Sequence, residues 1–564
     1  MAARHFALAG VALASLAAGV HSAGRAAPAA PACDRQPGGL QLPPGFCATI
    51  FADKLGHVRH MAVAADGTIY ANSAPDAQDQ SRPSGLIMLR DANGDGRADV
   101  IERPVPAVTG GTGVALYRGA IYLEDKNRII RYRLDPRSRL PVGEPATVVS
   151  GLPVGGDHRS RSLAIRHDGT MFVSIGSATN ACQFANRQAG SPGISPCTEK
   201  LHRAGIWQYR ADQTGQAFSP ANRFASGIRN AVGLTLDSHG QLFATQHGRD
   251  QLHENWRALY TAQQGQDWPA EELLLVNKGD DFGWPQCYFD PQRQQLVLAP
   301  EYGGDGGHKI GICAKAKAPI AAFPGHWAPN GLLIYEGAQF PAAYREGAFI
   351  AFHGSWNRAP GPQQGFNIVF QPMRNGRATG HYVVFANGFG GPGQASGNAL
   401  YRPTGLAMAP DGALYISDDK VGRIWRVTYR GSHSAPVQQA VGAAAAPVAA
   451  TGPQAITPHN GALPAGVDLA SIALGRRLWA GETGEASCSG CHGPHGEGTA
   501  VAPNLSDPEW LWGQGTPREI EALIARGVPA PKRFSAPMPA DGGAVLTGQQ
   551  RHALAAYVWS LSHP

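Results

Sequence analysis

Two cysteines and a histidine near the C-terminus form the pattern with the clearest chemical meaning. Cys488, Cys491 and His492 stand in the order Cys-x-x-Cys-His. Two thiols three positions apart can each add to a haem vinyl group, and the adjacent imidazole can bind the iron, so this spacing is typical of c-type haem attachment. A zinc half-site is the alternative, but zinc needs two more Cys or His ligands at nearby spacing, and the other six cysteines lie before residue 314. The motif therefore predicts a covalent haem c with His492 as the proximal iron ligand.

The sixth iron ligand is expected to be Met538, which stands between two prolines. It is the only methionine after residue 408, and thioether ligation raises the reduction potential of a haem. The alternatives are His495, His552 and His563. The C-terminal segment resembles class I cytochrome c over nearly its whole length.

An acidic loop has the residue types of a calcium site. Residues 91–102 fit the twelve-residue calcium loop, with oxygen-bearing residues at alternate positions and Gly96 at the sharp turn. Asp99 can replace Glu102 as the closing ligand, and a strand precedes the loop, so the helix-loop-helix unit is not expected. The site would brace a hairpin, and a solvated Asp/Gly turn is the alternative. The candidate ligands are Asp91, Asn93, Asp95, Arg97, Asp99 and Glu102.

The remaining six cysteines fall into three local pairs, 14, 15 and 26 residues apart. Six cysteines allow fifteen connectivities, and we predict the local one, with free thiols as the alternative. The pairs are Cys33 with Cys47, Cys182 with Cys197, and Cys287 with Cys313.

The N-terminus favours export, which suits disulfides. A basic start, an apolar run over residues 6–20 and small residues near 22 and 23 are typical of a signal peptide, predicted at 1–23. No later stretch has about 18 consecutive apolar residues, so no transmembrane segment is expected in the mature chain. We predict a periplasmic protein and leave peripheral membrane association open. The net charge of +6 over 564 residues forms no Lys/Arg run, which argues against nucleic acid binding.

A repeated turn and strand precede the haem motif in the chain and would position any active site there. A turn glycine followed by apolar and aromatic residues recurs at intervals of 50 to 107 residues. Asp-Gly before alternating hydrophobic residues is a strong hairpin signal, and six copies at blade-sized spacing predict a six-bladed β-propeller; a pair of β-sandwiches is the alternative. The glycines are Gly67, Gly119, Gly169, Gly240, Gly347 and Gly412.

The fold class is therefore mainly β: a six-bladed β-propeller followed by a small all-α cytochrome c domain. We expect the propeller at 40–430, an Ala/Pro-rich linker at 431–466 and the cytochrome c domain at 467–564. Capping boxes at Thr516 and Thr547 predict two of its helices, and Leu469, Ile472 and Leu478 are the apolar members of another, which precedes the haem motif. A linker of this composition would raise the effective concentration of the haem near the propeller without a large fixed interface.

Polar loop residues beside the repeated strands resemble those of a known family. The segments 157–163, 227–234, 246–250, 353–358 and 401–403 are similar to those of quinoprotein sugar dehydrogenases of the soluble glucose and sorbosone dehydrogenase type, which bind pyrroloquinoline quinone (PQQ) on the axis of a six-bladed propeller. The resemblance spans residues 40–430. The other quinoprotein class has eight blades and a vicinal disulfide, and this chain has no two adjacent cysteines.

The resemblance implies a role for several of these residues. His158 matches the base that takes the substrate hydroxyl proton, and a histidine pKa of about 6.5 suits that role at neutral pH; a structural loop histidine is the alternative. Arg229 and Asn230 match the pair that contacts the quinone oxygens, where a fixed guanidinium would stabilise developing charge. The backbone carbonyls of Gly248 and Arg249 match the ligands of the calcium that polarises the quinone.

The cofactor carboxylates are expected to bind Arg402 and a second basic residue. The soluble glucose enzymes have a lysine where this chain has the segment 353–358, so His353 or Arg358 is expected to take over that contact.

The resemblance implies a dehydrogenase that oxidises a small-molecule sugar or sugar aldehyde. PQQ, calcium and haem c would be the cofactors, and an external cytochrome, quinone or oxidase the electron acceptor. A calcium-dependent propeller hydrolase such as a lactonase and a non-enzymatic ligand-binding propeller are the alternatives. A hydrolase, however, has no use for a covalently linked haem.

Overall fold

The computed structural model describes most of the chain between residues 33 and 563. The described ranges are 1, 33–35, 37–76, 79–358, 361–392, 398–440, 463–479, 488–493, 496, 498, 502–534 and 537–563. Most of the predicted signal peptide, most of the predicted linker and His495 lie outside the described residues.

Six sheets form the propeller, five of them with four antiparallel strands and one with a short fifth strand that pairs in parallel at its edge, which confirms the predicted fold class. Blade 1 contains Val58–Val63, Ile69–Ser73, Gly85–Arg90 and Val100–Glu102. Blade 2 contains Val114–Tyr117, Ala120–Asp125, Arg128–Leu134 and Pro141–Ser150, with Gln216–Ala217 at its edge. Blade 3 contains Leu163–Ile165, Thr170–Ile175, Gly205–Arg210 and Arg223–Ser226. Blade 4 contains Leu234–Leu236, Leu242–Gln246, Glu271–Val276 and Ala321–Phe323. Blade 5 contains Pro329–Ile334, Ala348–His353, Phe366–Gln371 and Val383–Ala386. Blade 6 contains Pro403–Met408, Leu414–Asp418, Arg423–Tyr429 and the N-terminal strand Phe46–Ala52.

The ring is closed by pairing the two ends of the propeller sequence. Phe46–Ala52 runs antiparallel to Arg423–Tyr429, with Phe46 opposite Tyr429. The Phe46 ring also packs edge-on against Phe340, at a centroid distance of 4.9 Å. Closure therefore buries the N-terminal strand in the aromatic core between blades 5 and 6.

The repeated glycine marks the turn into the second strand of every blade. Five of the six, all but Gly347, have a positive φ, for example +87° at Gly67 and +85° at Gly412. A side chain is disfavoured in this conformation, which explains why the turn phrase uses glycine.

Disulfides fix two long insertions and the segment before the first strand, and the predicted local pairing is confirmed. Cys33–Cys47, Cys182–Cys197 and Cys287–Cys313 are bonded. The blade 4 insertions hold two short helices and a hairpin, at Leu252–Asn255, Ala262–Asp267, Cys287–Asp290 and Gln295–Leu298, and a smaller hairpin after blade 5's third strand pairs Met373–Arg374 with Arg377–Ala378. Short 3-10 turns occupy Thr198–Leu201, Pro220–Asn222, Pro300–Tyr302, Gly311–Lys315, Ala342–Tyr344 and Ala540–Gly543.

The C-terminal segment is helical, as predicted. Its helices are Leu469–Trp479, Ser489–His492, Pro517–Arg526 and Gly548–Leu561. Both predicted capping boxes form, at Thr516 and Thr547. No helix of the described ranges is long and apolar enough to cross a membrane.

The first and last of these helices cross at very close range. A Cβ at Gly475 would collide with the carbonyl oxygen of Ala553, so the crossing requires glycine there. The buried face of the first helix begins at Ile472 and includes Leu478. Leu469 belongs to this helix as predicted, but as its first residue it lies ahead of the buried face and is 55% exposed.

Candidate active site and haem pocket

Loops from all six blades converge on one cavity of about 740 Å³. Of the predicted quinone-site residues, six line it and two do not. The six are His158, Arg229, Asn230, Gly248, His353 and Arg402, and the two are Arg249 and Arg358.

His158 enters the cavity on the loop that precedes blade 3. Its Nδ1 lies 3.0 Å from the carbonyl oxygen and 2.8 Å from the Oγ of Ser177. The Ser177 hydroxyl donates to the carbonyl of Thr179 at 2.6 Å, so both oxygens of Ser177 are acceptors toward the ring. We therefore assign the proton to Nδ1, which leaves the lone pair on Nε2. Burial, reinforced by the charge of Arg229, lowers the pKa of His158 well below its usual value, so the imidazole is neutral.

Arg229 also lines the cavity, and four hydrogen-bond acceptors hold its guanidinium in place. Its guanidinium donates to the carbonyl and the side chain of Asn180, at 3.0 and 2.8 Å, and to the Gly248 carbonyl at 2.8 Å. The fourth bond goes to Asp250 Oδ2 at 2.7 Å. Burial favours a raised pKa for Asp250, but the cations of Arg229 and Arg187 hold it well below its usual range. The pair is therefore ionised, and the guanidinium has no freedom to turn.

Asn230 presents a buried acceptor to the same space. Among the described residues, its Oδ1 has no hydrogen-bond donor. An unsatisfied buried carbonyl costs free energy, so this atom is suited to a bound ligand.

His353 and Arg402 form the opposite part of the wall. His353 Nε2 lies 2.8 Å from Asp419 Oδ1, and Arg402 donates to the carbonyls of His353 and Gly354, at 3.0 and 2.9 Å. Burial lowers the pKa of Arg402 to about 10, so it remains a cation at neutral pH.

Arg358 points away from the cavity although it follows His353 closely in sequence. Its guanidinium donates to the Gln266 carbonyl at 3.0 Å and to Asp267 Oδ1 at 2.7 Å. His353 and Arg358 are the two candidates to replace the cofactor-binding lysine of the soluble glucose enzymes, and of these two His353 alone borders the cavity.

The cavity lining carries an excess of positive charge. It includes eight Lys or Arg residues and four Asp or Glu residues. Eight cationic against four anionic side chains around this cavity favour an anionic ligand. A quinone with several carboxylates fits this wall, and the free Asn230 oxygen is consistent with a cofactor contact.

The two predicted calcium sites differ in their surroundings. The Gly248 carbonyl borders the cavity and already accepts from Arg229, while the Arg249 side chain forms a buried ion pair with Glu301. At the acidic loop, Asp91 accepts from the amides of Gly94 and Gly96, at 2.7 and 2.8 Å. Across the described ranges, no three His, Cys, Asp or Glu side chains are grouped to hold a metal ion. Both calcium sites remain predictions.

A second, more apolar cavity contains the haem motif. Cys488, Cys491, His492 and Met538 all line it, and both cysteines are free thiols. His492 Nδ1 lies 3.0 Å from the Pro503 carbonyl, which assigns the proton to Nδ1 and leaves Nε2 for iron. The residues present therefore fit a covalent haem with axial histidine and methionine.

Two of the alternative axial ligands do not border this cavity. His552 is held by Glu521 at 3.2 Å and by the Gly466 carbonyl at 2.8 Å. His563 stacks on Trp559 at a centroid distance of 4.6 Å. These contacts favour Met538 over both.

Several important residues carried no usable signal in the sequence. Asp250 ends a segment chosen for Gly248, Ser177 lies in an ordinary loop, and Arg187 lies inside the Cys182–Cys197 disulfide loop. Each of these residues contacts a side chain that is distant in sequence. The cysteine spacing predicted the disulfide loop that contains Arg187, but no pattern marked Arg187 itself.

Comparisons with known proteins agree with this architecture. The family model described as TrAA12-like matches residues 40–430, and that of cytochrome c matches residues 472–562. The pyrroloquinoline quinone-dependent pyranose dehydrogenase of Coprinopsis cinerea is 27% identical over 237 residues, which cover 35% of this chain and 30% of that protein. The cbb3-type cytochrome c oxidase subunit FixP of Sinorhizobium medicae is 42% identical over 79 residues, covering 14% of this chain and 27% of FixP. The chain thus spans less than a third of the length of either relative.

Solved structures share the propeller fold. The Trichoderma reesei structure of Carbohydrate-Active Enzymes Family AA12 has a TM-score of 0.55 at 19% identity, covering 69% of this chain and 98% of the other. The holo pyranose dehydrogenase PQQ domain of Coprinopsis cinerea has a TM-score of 0.54 at 20% identity, covering 69% and 97%.

Proposed function

Because the chain belongs to the TrAA12-like family over residues 40–430 and carries a cytochrome c domain after it, we propose that it oxidises a sugar or sugar aldehyde with PQQ. Electrons would leave through haem c to an external acceptor in the periplasm. When bound, the quinone supplies a two-electron acceptor, calcium polarises it, and the haem iron accepts single electrons. A named relative, the pyranose dehydrogenase of Coprinopsis cinerea, supports a sugar as the substrate class.

The observation that carries the proposal is the fixed tautomer of His158 in a cation-rich cavity. Its Nδ1 is held by both oxygens of Ser177, so Nε2 can accept the proton of a substrate hydroxyl. After proton transfer, the imidazolium still donates from Nδ1 to Ser177, and Asp250 lowers the cost of the added charge.

The other residues bind and orient. Arg229 is fixed by Asp250 and presents a cation where negative charge develops, and the Asn230 oxygen accepts from the bound ligand. Arg402 and His353 would hold cofactor carboxylates at the opposite wall.

Reconstitution tests the proposal directly. Quinone-free protein is incubated with PQQ and calcium, and the haem absorbance is followed as aldoses and sugar aldehydes are added. We expect haem reduction only with quinone, calcium and a sugar together. Haem reduction by sugar that needs neither quinone nor calcium contradicts the proposal.

A further inference from the structure

The quinone cavity and the haem cavity share a wall. Arg187 and Trp356 are the two residues that line both of them among the described ranges. Trp356 follows the blade 5 strand that ends at His353, whereas Arg187 belongs to the insertion of blade 3. One residue from each of two blades therefore separates the predicted haem from the predicted quinone.

The side chain of Arg187 is buried and held by two carboxylates. It is 4% exposed, and its Nε lies 2.9 Å from Asp157 Oδ2 while its Nη1 lies 3.0 Å from Asp250 Oδ2. Its loop is closed by the Cys182–Cys197 disulfide. A long side chain fixed this way keeps its charge at one place in the wall.

The same Asp250 oxygen joins Arg187 to the candidate active site. It accepts from Arg229 Nη2 at 2.7 Å as well as from Arg187. A buried chain of alternating charge, Arg187–Asp250–Arg229, therefore runs from the haem cavity to the quinone cavity. Because buried charges are weakly screened, a charge change in one cavity acts on the other.

The cytochrome c domain is seated on the mouth of the propeller cavity. Ala189 N donates to the Gly543 carbonyl at 3.3 Å, and Arg159 Nη2 donates to the Phe534 carbonyl at 3.3 Å. Arg533 of the haem domain borders the quinone cavity itself. The linker predicted a domain without a large fixed interface, and these few contacts place the haem domain beside Arg187.

We propose that Arg187 and Trp356 form the electron exit of the propeller, and that Arg187 is a positioning residue that raises the reduction potential of the haem. The proposal rests on the proposed function. Oxidation of one substrate hydroxyl releases two electrons and two protons in all. His158 takes the hydroxyl proton and passes it to solvent, the second proton would be released to solvent as the reduced cofactor is reoxidised, and the electrons cross the wall singly. A one-electron acceptor outside the protein takes each in turn, so two acceptor molecules are reduced per substrate.

The charge of Arg187 is tested by potentiometry on quinone-free holocytochrome, without substrate. In R187Q the loss of a buried cation favours oxidised haem, and we expect the ratio of reduced to oxidised haem at a fixed solution potential to fall about tenfold, equal to about 59 mV for one electron. R187K should stay near the wild-type potential because it keeps the charge. Arg210, on the same blade, pairs with Asp212 at the surface, so R210Q is the matched control and should leave the potential unchanged.

The role of Trp356 is tested by single-turnover mixing of quinone-loaded protein with sugar. In W356L the fast phase of haem reduction should be lost, while W356F should retain it because a ring remains in the wall. Sugar-dependent reduction of a soluble dye that takes electrons from the propeller directly is measured in the same samples, so that the haem phase of each variant is compared with the wild type at equal quinone turnover.

The outcomes separate this proposal from the proposed function. A wild-type potential in R187Q, or an unchanged fast phase in W356L, overturns the assignment of that residue. If sugar reduces neither dye nor haem in the wild type, the proposed function fails, and the quinone-free potential of R187Q still decides the role of Arg187.

Discussion

Replacing His158 by alanine removes the proposed base and little else. The other four histidines of the cavity each have Nε2 engaged: Nε2 of His57 and of His353 bonds to Asp419, at 3.0 and 2.8 Å, Nε2 of His247 lies 3.3 Å from the Pro329 carbonyl, and Nε2 of His326 lies 3.0 Å from the Gly265 carbonyl. Because none of them presents a free Nε2 as His158 does, loss of the general base should lower turnover by about 10² or more.

The assay measures sugar-dependent dye reduction by quinone-loaded protein, alongside haem content and quinone affinity. In His158→Ala we expect the last two to stay near wild type and turnover to fall. Added imidazole should restore part of the rate by entering the space left by the ring. His239→Ala, at an exposed turn of blade 4, controls for loss of a histidine. Full turnover in His158→Ala would refute the assignment and move the base elsewhere.

Two further predictions concern the haem and the folded state. Met538→Ala should leave sugar-dependent dye reduction intact and lower the haem potential, because a thioether ligand favours reduced iron; an unchanged potential would point to another axial ligand. Burial lowers the pKa of His60 to about 4. Between about pH 6.5 and pH 4 the unfolded chain therefore binds a proton at this histidine that the folded protein does not, and the free energy of unfolding decreases as the pH falls through this range. Compared with His60→Gln in urea unfolding, the wild type should lose about 2 kcal/mol between pH 7 and pH 5; a constant difference between the two proteins would contradict this reasoning.

Local patterns in the sequence predicted the propeller and the helices well. The Asp-Gly turn encodes its own backbone geometry, so Gly67 and Gly412 mark blades without knowledge of their neighbours. The capping boxes at Thr516 and Thr547 are equally local. Leu469 lies in the predicted helix, but its 55% exposure depends on where that helix begins relative to its partner.

The candidate site could be predicted only in part. His158 and Arg229 stand in recognisable segments, and both line the cavity. Arg358 stands five residues after His353 yet points into the protein on the other side, because the path of the loop decides which side chain faces the axis. Arg187 and Asp250 meet through three-dimensional packing of separate insertions, for which the sequence contains no pattern.

The central claim is tested most directly by rapid mixing. Quinone-loaded protein is mixed with sugar in the absence of oxygen, and the absorbance bands of the quinone and of the haem are followed. The account predicts that the quinone band changes first and the haem band second, and that His158→Ala slows both. Haem reduction that precedes the quinone change, or keeps its wild-type rate in His158→Ala, would contradict it.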